Sequence, residues 1–288
     1  MANISAAEVK ALREKTGAGM MECKNALVET DGDFAKAEKL LKEKGLAALE
    51  KRAGRATNAG KIFIKTKDNG AAGSTTVLVE MVAETDFVAR NDEFISLGGT
   101  IADRVLEKGF TEPNEELNGM VTDLATKIRE NMSLKRIKTI KAAAGEYLTS
   151  YIHGDGAIGV VVKFGADNAD AFKNEEIKAF AFTLALHVAA FNPIALDQTK
   201  IDADWLKEQE GIFRKQMEQD ESMKGKPANV LENILKGKVS KFLKDISLMD
   251  QAYVKDEKMT VAQALADAAK RLGAKINVLE FVYFRAGE

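Results

Sequence analysis

The sequence predicts an α+β protein, and three observations carry that prediction. Helix-start and helix-stop signals crowd the first 50 residues. Alternating apolar stretches flank two turn-forming triplets, Asp68-Asn69-Gly70 and Gly154-Asp155-Gly156. The same order, a hairpin followed by an apolar helix, then occurs twice along the chain, which points to an internal duplication. With 288 residues, 45% of them hydrophobic, the chain can bury a sizeable core and is too long for one minimal domain. The expected organisation is a three-helix unit over residues 1–55, a core half over 56–144 and a second core half over 145–288. A helical hairpin is expected as an insertion in the last of these, at about 203–247.

Ser5 and Glu8 form an S-x-x-E capping box, and Ile4 can staple onto Val9, so a helix starts there. It runs through Val9 and Leu12 and stops at Gly17. A second helix begins near Met20, carries Ala26 and Leu27, and breaks at Thr30-Asp31-Gly32. Asp33 caps a third, which buries Ala37, Leu40 and Leu41 and ends at Gly45. A linker rich in Gly, Ala and basic residues spans Lys51 to Gly60. Lys61 to Lys67 and Thr75 to Val82 then alternate around the first turn triplet, a hairpin signal. A helix from about Asn91 sets Phe94, Leu97, Ile101 and Val105 on one face. Another after Pro113 uses Leu117, Val121, Leu124 and Ile128, and Leu134 to Ala142 reads as a third strand.

Gly145 to Phe164 repeats the hairpin, Glu175 to Ala190 repeats the apolar helix, and Ile276 to Phe284 closes the second sheet. Compare GKIFIKTKDNG…TVLVEMVAETDF with GEYLTSYIHGDG…GVVVKFGADNADAF: identities are few, but the order of elements is the same. The insertion has one arm with Trp205, Ile212, Phe213 and Met217 and another with Leu231, Leu235, Val239, Leu243 and Ile246, joined by a turn with Gly225 and Pro227. Each arm carries one narrow apolar seam, as in a two-helix antiparallel coiled coil. Two ordinary surface helices remain the alternative.

Composition excludes several classes. Basic and acidic residues nearly balance, 42 against 44, so no global field favours nucleic acid or anionic membrane. The one cysteine, Cys23, rules out an internal disulfide framework and fits a reducing cytosol. MANISAAEVK lacks the basic and apolar regions of a signal peptide, so a cytoplasmic, soluble protein is expected. Ala179 to Leu196 is uncharged except for His187, yet it is alanine-rich and interrupted by Asn192-Pro193, which reads as a buried helix rather than a span. His187 reads as a satisfied core histidine.

Apparent catalytic motifs fail on context. Gly154 to Gly159 matches G-x-G-x-x-G, but Val160-Val161-Val162 follows, a strand where a dinucleotide site needs a helix N-terminus. Gly54 to Lys61 resembles a phosphate loop with five residues between its glycines and Ile62 in place of Ser or Thr. Cys23 with only His153 and His187 in the whole chain forms no nucleophile or zinc pattern. The basic run Lys135, Arg136, Lys138 and Lys141 has no interleaved aromatics and reads as a solvated strand face. No enzyme, cofactor or metal is expected.

Two features remain as interaction signals. Met20 and Met21 sit at a helix-joining turn, where they either plug the small bundle or offer adaptable side chains to a partner. Thr85-Asp86-Phe87-Val88 lies between a strand and a helix among charged neighbours. Phe87 there is either core, the commoner fate, or an anchor for a partner's pocket.

These stretches carry a family resemblance. VKALREKTGAGMMECKNAL, VAETDFVARNDEF, YIHGDGAIGVVV and LHVAAFNP resemble blocks of the elongation factor Ts family, and the similarity runs from about Ile4 to Arg285. The resemblance implies an N-terminal three-helix module like ubiquitin-associated domains, a duplicated α+β core and an inserted helical hairpin. It implies elongation factor Tu as partner, a GTPase whose GDP release the family accelerates, with neither nucleic acid nor membrane bound directly. Thr85, Asp86, Phe87 and Val88 match the segment that dislodges Mg²⁺ from the GTPase, Phe87 being the wedge. Arg13, Met20 and Met21 match positions that grip its nucleotide-binding domain, and His153 matches a further contact. The hairpin would be another contact or a self-association surface, which admits a homodimer. The rival expectation is a protein-binding scaffold without exchange activity.

Overall fold

The signals that cap the helices in sequence cap them in three dimensions. In a computed structural model, which describes residues 4–168 and 170–288, Ser5 accepts from the Glu8 N–H and the Glu8 carboxylate accepts from the Ser5 N–H at 2.8 Å. They start α1 (Ala6–Thr16), which Gly17 closes at φ 68°. α2 (Met20–Glu29) and α3 (Phe34–Glu50) follow, the latter capped by Asp33. Val9, Leu12, Cys23, Ala26, Leu27, Ala37 and Leu41 make their common core.

The chain then forms β1 (Ala59–Asp68), β2 (Ser74–Ala83), the single turn α4 (Asp86–Ala89), α5 (Asp92–Lys108), α6 (Glu115–Ile128) and β3 (Met132–Ala142). The strands pair antiparallel in the order β1-β2-β3. β4 (Glu146–His153), β5 (Ile158–Ala166) and α7 (Glu175–Phe191) begin the second half. After α8 (Ala203–Gln219) and α9 (Ala228–Ile246) come a small ribbon, β6 (Ala252–Tyr253) and β7 (Asp256–Thr260), then α10 (Val261–Leu272) and β8 (Ile276–Arg285). The second sheet has the order β4-β5-β8. The fold is α+β, and hairpin, helix and closing strand recur in the same order in both halves.

Each sheet has helices on one face and the other sheet on its second face. Ile62, Leu78 and Ile140 of the first sheet meet Leu148, Val161 and Phe284 of the second in one buried cluster. β2 is therefore covered on both sides. Thr76 to Ala83 are all buried, where a half-solvated hairpin would have shown alternation. Glu80 lies fully buried in that interface, accepting from the Gly287 N–H at 2.9 Å and paired with Arg136. The Arg136 guanidinium lies 4.0 Å over the Phe284 ring. Of the expected solvated basic face, only Lys135, Lys138 and Lys141 are exposed; Arg136 is drawn inward by that carboxylate and ring.

Other expectations are corrected. α3 does not end at Gly45 but runs on to Glu50. The glycine sits where α3 crosses α6: a Cβ there would meet Thr126 Cγ2 at 2.3 Å, so close approach, not a stop, explains it. In the helical hairpin Trp205 and Phe213 close on Phe242, at ring separations of 5.9 and 5.3 Å, with Met217 and Leu235 buried further along. Ile212 is exposed and outside that seam. Among the described residues no helix is long and apolar enough to cross a membrane. α7 is instead covered by the second sheet and α10, with His187 fully buried.

Candidate protein-interaction surface

The segment after β2 is built on a conflict between its neighbours. Val88 and Ala89 are apolar and sink into the core beside Phe94, which forces the chain into one helical turn and turns Phe87 outward. Phe87 is 84% exposed, the most exposed large apolar side chain among the described residues. Thr85 is the N-cap, its Oγ1 accepting from the Val88 N–H, and Asp86 pairs with Arg90 at 3.3 Å. The expected connecting loop is thus a short helix, α4, and Val88 is its anchor to the core.

Met20 and Met21 occupy the first turn of α2, 44% and 65% exposed, so neither plugs the bundle. That turn is held by Glu22, whose carboxylate accepts from the Gly19 N–H at 2.9 Å. It also pairs with both guanidinium nitrogens of Arg129. The guanidinium first, then the Gly19 N–H, holds the Glu22 carboxyl below the usual range. Arg13 is exposed on α1 and makes no ion pair among the described residues. His153 is exposed at the end of β4, its Nδ1 3.0 Å from the Tyr151 hydroxyl.

Hydrogen bonds tie the His153 turn, the Phe87 turn and the Met20–Met21 turn to one end of the first sheet, where β1 begins, β2 ends and β3 begins. The turn after β4 reaches β1 through the Ile62 N–H, which donates to the Gly156 carbonyl at 2.8 Å. There the buried Lys61 ammonium donates to the Asp155 carbonyl at 2.6 Å and to its carboxylate. Lys61 holds the Asp155 carboxyl below its ordinary range, and Arg90 of the Phe87 turn adds a smaller pull. The turn that follows His153 is thereby fastened to the start of β1. On the other side, Thr85 donates to Glu130, which follows the Arg129 that binds Glu22 beside Met20 and Met21. Sequence reasoning missed Glu130, Arg129 and Lys61, because charged residues in polar surroundings carry no periodicity to mark them.

Chemically the surface offers apolar and cationic groups and no reactive constellation. Cys23 is fully buried, with its Sγ 3.7 Å from the Ala18 carbonyl oxygen. Gly154 to Gly156 simply turn the hairpin at positive φ, and among the described residues no three His, Cys, Asp or Glu side chains converge as metal ligands.

An exposed aromatic on a fastened turn, with exposed methionines and an exposed histidine elsewhere on the same α+β frame, is the kind of surface that marks the protein-docking class. The sequence model of the family described as Elongation factor TS matches residues 84–288. Elongation factor Ts of Treponema denticola is 46% identical over 285 residues, spanning 99% of both chains. That of Borrelia recurrentis is 40% identical over 288 residues, covering 99% of this chain and 100% of the relative. That of Clostridium acetobutylicum is 36% identical over 296 residues, covering 99% and 93%. The chain belongs to the elongation factor Ts family, and its role lies in translation elongation.

Proposed function

We propose that the protein is a guanine-nucleotide exchange factor for elongation factor Tu. It binds the GDP-loaded GTPase, displaces the groups that hold Mg²⁺, and so promotes GDP release. The observation that carries this reading is Phe87, an 84% exposed aromatic on a turn fastened at both ends. Burying a Phe side chain stabilises by about 1.5–3 kcal/mol, which is roughly 10- to 100-fold in an equilibrium constant. A pocket that exists only when the partner's Mg²⁺ ligands have moved would harvest that energy for the open state alone. Arg13, Met20 and Met21 grip the nucleotide-binding domain at one side of the wedge, and His153 adds a contact at the other. Thr85, Asp86 and Val88 set the wedge itself.

Linkage fixes the rest. If the factor lowers nucleotide affinity by some ratio, nucleotide lowers the factor's affinity by the same ratio, so the ternary complex is weak and transient. No covalent bond changes, so the protein needs no catalytic group or cofactor and is not an enzyme. We take its working compartment to be the cytoplasm. Units at 1–55, 56–144 and 145–288 would then serve as grip, wedge and brace, with the hairpin free for a further contact or for pairing with a second copy.

Release of fluorescent GDP from elongation factor Tu, with wild type and Phe87→Ala in parallel, tests the proposal. Wild type accelerates release, and the variant loses about tenfold or more of that acceleration with an unchanged melting temperature, because an exposed ring contributes little to the fold. Nucleotide-indifferent binding and no acceleration by wild type would leave the scaffold reading in its place.

A further inference from the structure

A single helical turn cannot hold itself, since it fixes several dihedrals for one or two hydrogen bonds. α4 is such a turn: the Ala89 N–H donates to Thr85 O at 3.2 Å and the Arg90 N–H to Asp86 O at 3.0 Å. The direction in which Phe87 projects is therefore set by whatever fastens its ends. Val88 pins the C-terminal side to the core. The N-terminal side is pinned by one carboxylate. Glu130 accepts from the Thr85 N–H at 3.1 Å and from the Thr85 hydroxyl at 2.8 Å, using both oxygens. Charge-assisted bonds of this kind are about twice as strong as neutral ones.

Glu130 belongs to a three-residue loop whose members reach in different directions. Arg129, at φ 70°, ends α6 in the left-handed region and sends its side chain to Glu22 on α2. Its carbonyl also accepts from Arg52. The Asn131 N–H donates to Glu84 at 2.7 Å, while its side-chain amide donates to the carbonyls of Arg55 at 2.9 Å and Ala53 at 3.3 Å. One loop thus holds the Met20–Met21 turn, the linker before β1 and the Phe87 turn.

We propose that Glu130 is a positioning residue for nucleotide exchange: by clamping Thr85 it aims Phe87, and with Arg129 it sets the spacing from Phe87 to Met20 and Met21. The inference rests on the exchange reading above. Nothing in the partner need touch Glu130. Its removal leaves every docking side chain present but lets the wedge swing.

The test compares wild type, Glu130→Ala, Glu130→Gln, Phe87→Ala and the Glu130→Ala/Phe87→Ala double variant. GDP release at saturating factor is read beside amide hydrogen exchange over residues 84–91 of the free protein. Glu130→Ala should lower the acceleration about tenfold or more, tenfold being the scale of losing even one bond to a charged group, and should speed exchange at Ala89 and Arg90. Glu130→Gln keeps a carbonyl for the Thr85 N–H and an amide for its Oγ1, so it should restore most of both. The double variant should be no worse than Phe87→Ala, because a residue that acts only through the wedge has nothing left to aim. Wild-type release rates in Glu130→Ala, or losses that multiply in the double variant, would overturn the positioning role. No acceleration by wild type would instead overturn the exchange reading, and the positioning role with it, an outcome recognisable because every variant then behaves alike.

Discussion

Phe87 and Val88 are adjacent, similarly apolar and oppositely placed, and only the one-turn helix between them and the core decides which is which. Composition could mark the segment as unusual but could not separate the two, because a loop and a helical turn of four residues carry the same local signals. His187 was easier to read, since a lone histidine in an uncharged apolar helix has few other fates. It is fully buried, its Nε2 is 2.9 Å from the Gln251 Oε1, and its Nδ1 accepts from the Val254 N–H at 3.3 Å. That leaves Nε2 as the site of the single proton, donated to Gln251. Desolvation pushes its pKa below the ordinary value, with the Gln251 hydrogen bond opposing. A depressed histidine binds its proton less readily when folded than when unfolded. Its contribution is therefore fully present above the unfolded pKa of about 6.5 and is lost as pH falls toward the folded one. Thermal midpoints measured from about pH 7 down to about pH 5, a window above the carboxylate range, should fall in wild type. They should stay nearly flat in His187→Gln.

At the scale of elements, glycine misled and then informed. Gly17 ends α1 as its position suggests, but Gly45 and Gly98 sit inside helices, where they permit contact rather than a break. At Gly98 of α5 a Cβ would lie 2.1 Å from the Phe63 ring of β1. That ring packs on Phe94 at 6.4 Å and would have to shift against it. Gly98→Ala, despite the better helix propensity of alanine, should therefore destabilise by about 1–3 kcal/mol, the usual scale of overpacking. A shift of the urea midpoint at constant slope would report it; a stabilised variant would show that Phe63 gives way. The long helices and both hairpins were legible because their periodicity spans many residues and their caps are explicit. The stretch from β6 through α10 carries no comparable signal in the sequence. β6 is only two residues long, and the capping box of Thr260 and Gln263 lies in the shadow of the more obvious hairpin.

For the molecule as a whole, the repeated order of elements was visible in sequence, but the packing of sheet on sheet was not. Nothing local announces that β2 is buried on both faces or that Glu80, a carboxylate, belongs in that interface. The same architecture has a kinetic consequence. β8 pairs with β5, Val282 facing Val161, with α7, the helical hairpin and α10 all lying between them in sequence. Such a pairing is costly to find and slow to form. Yet the insertion is zipped at its base, where the Ile194 N–H donates to Ile246 O at 2.9 Å and the Leu248 N–H to Ala195 O at 2.9 Å. A hairpin that closes first shortens the path the chain must search, so its length hardly enters the closure entropy, which grows only by about 0.6 kcal/mol per doubling of a flexible loop. Trimming the outer turns of α8 and α9 should leave the refolding rate within about twofold. Weakening the pinch at Ala195 and Ser247 should slow it, because β8 would then have to find β5 across the whole open insertion.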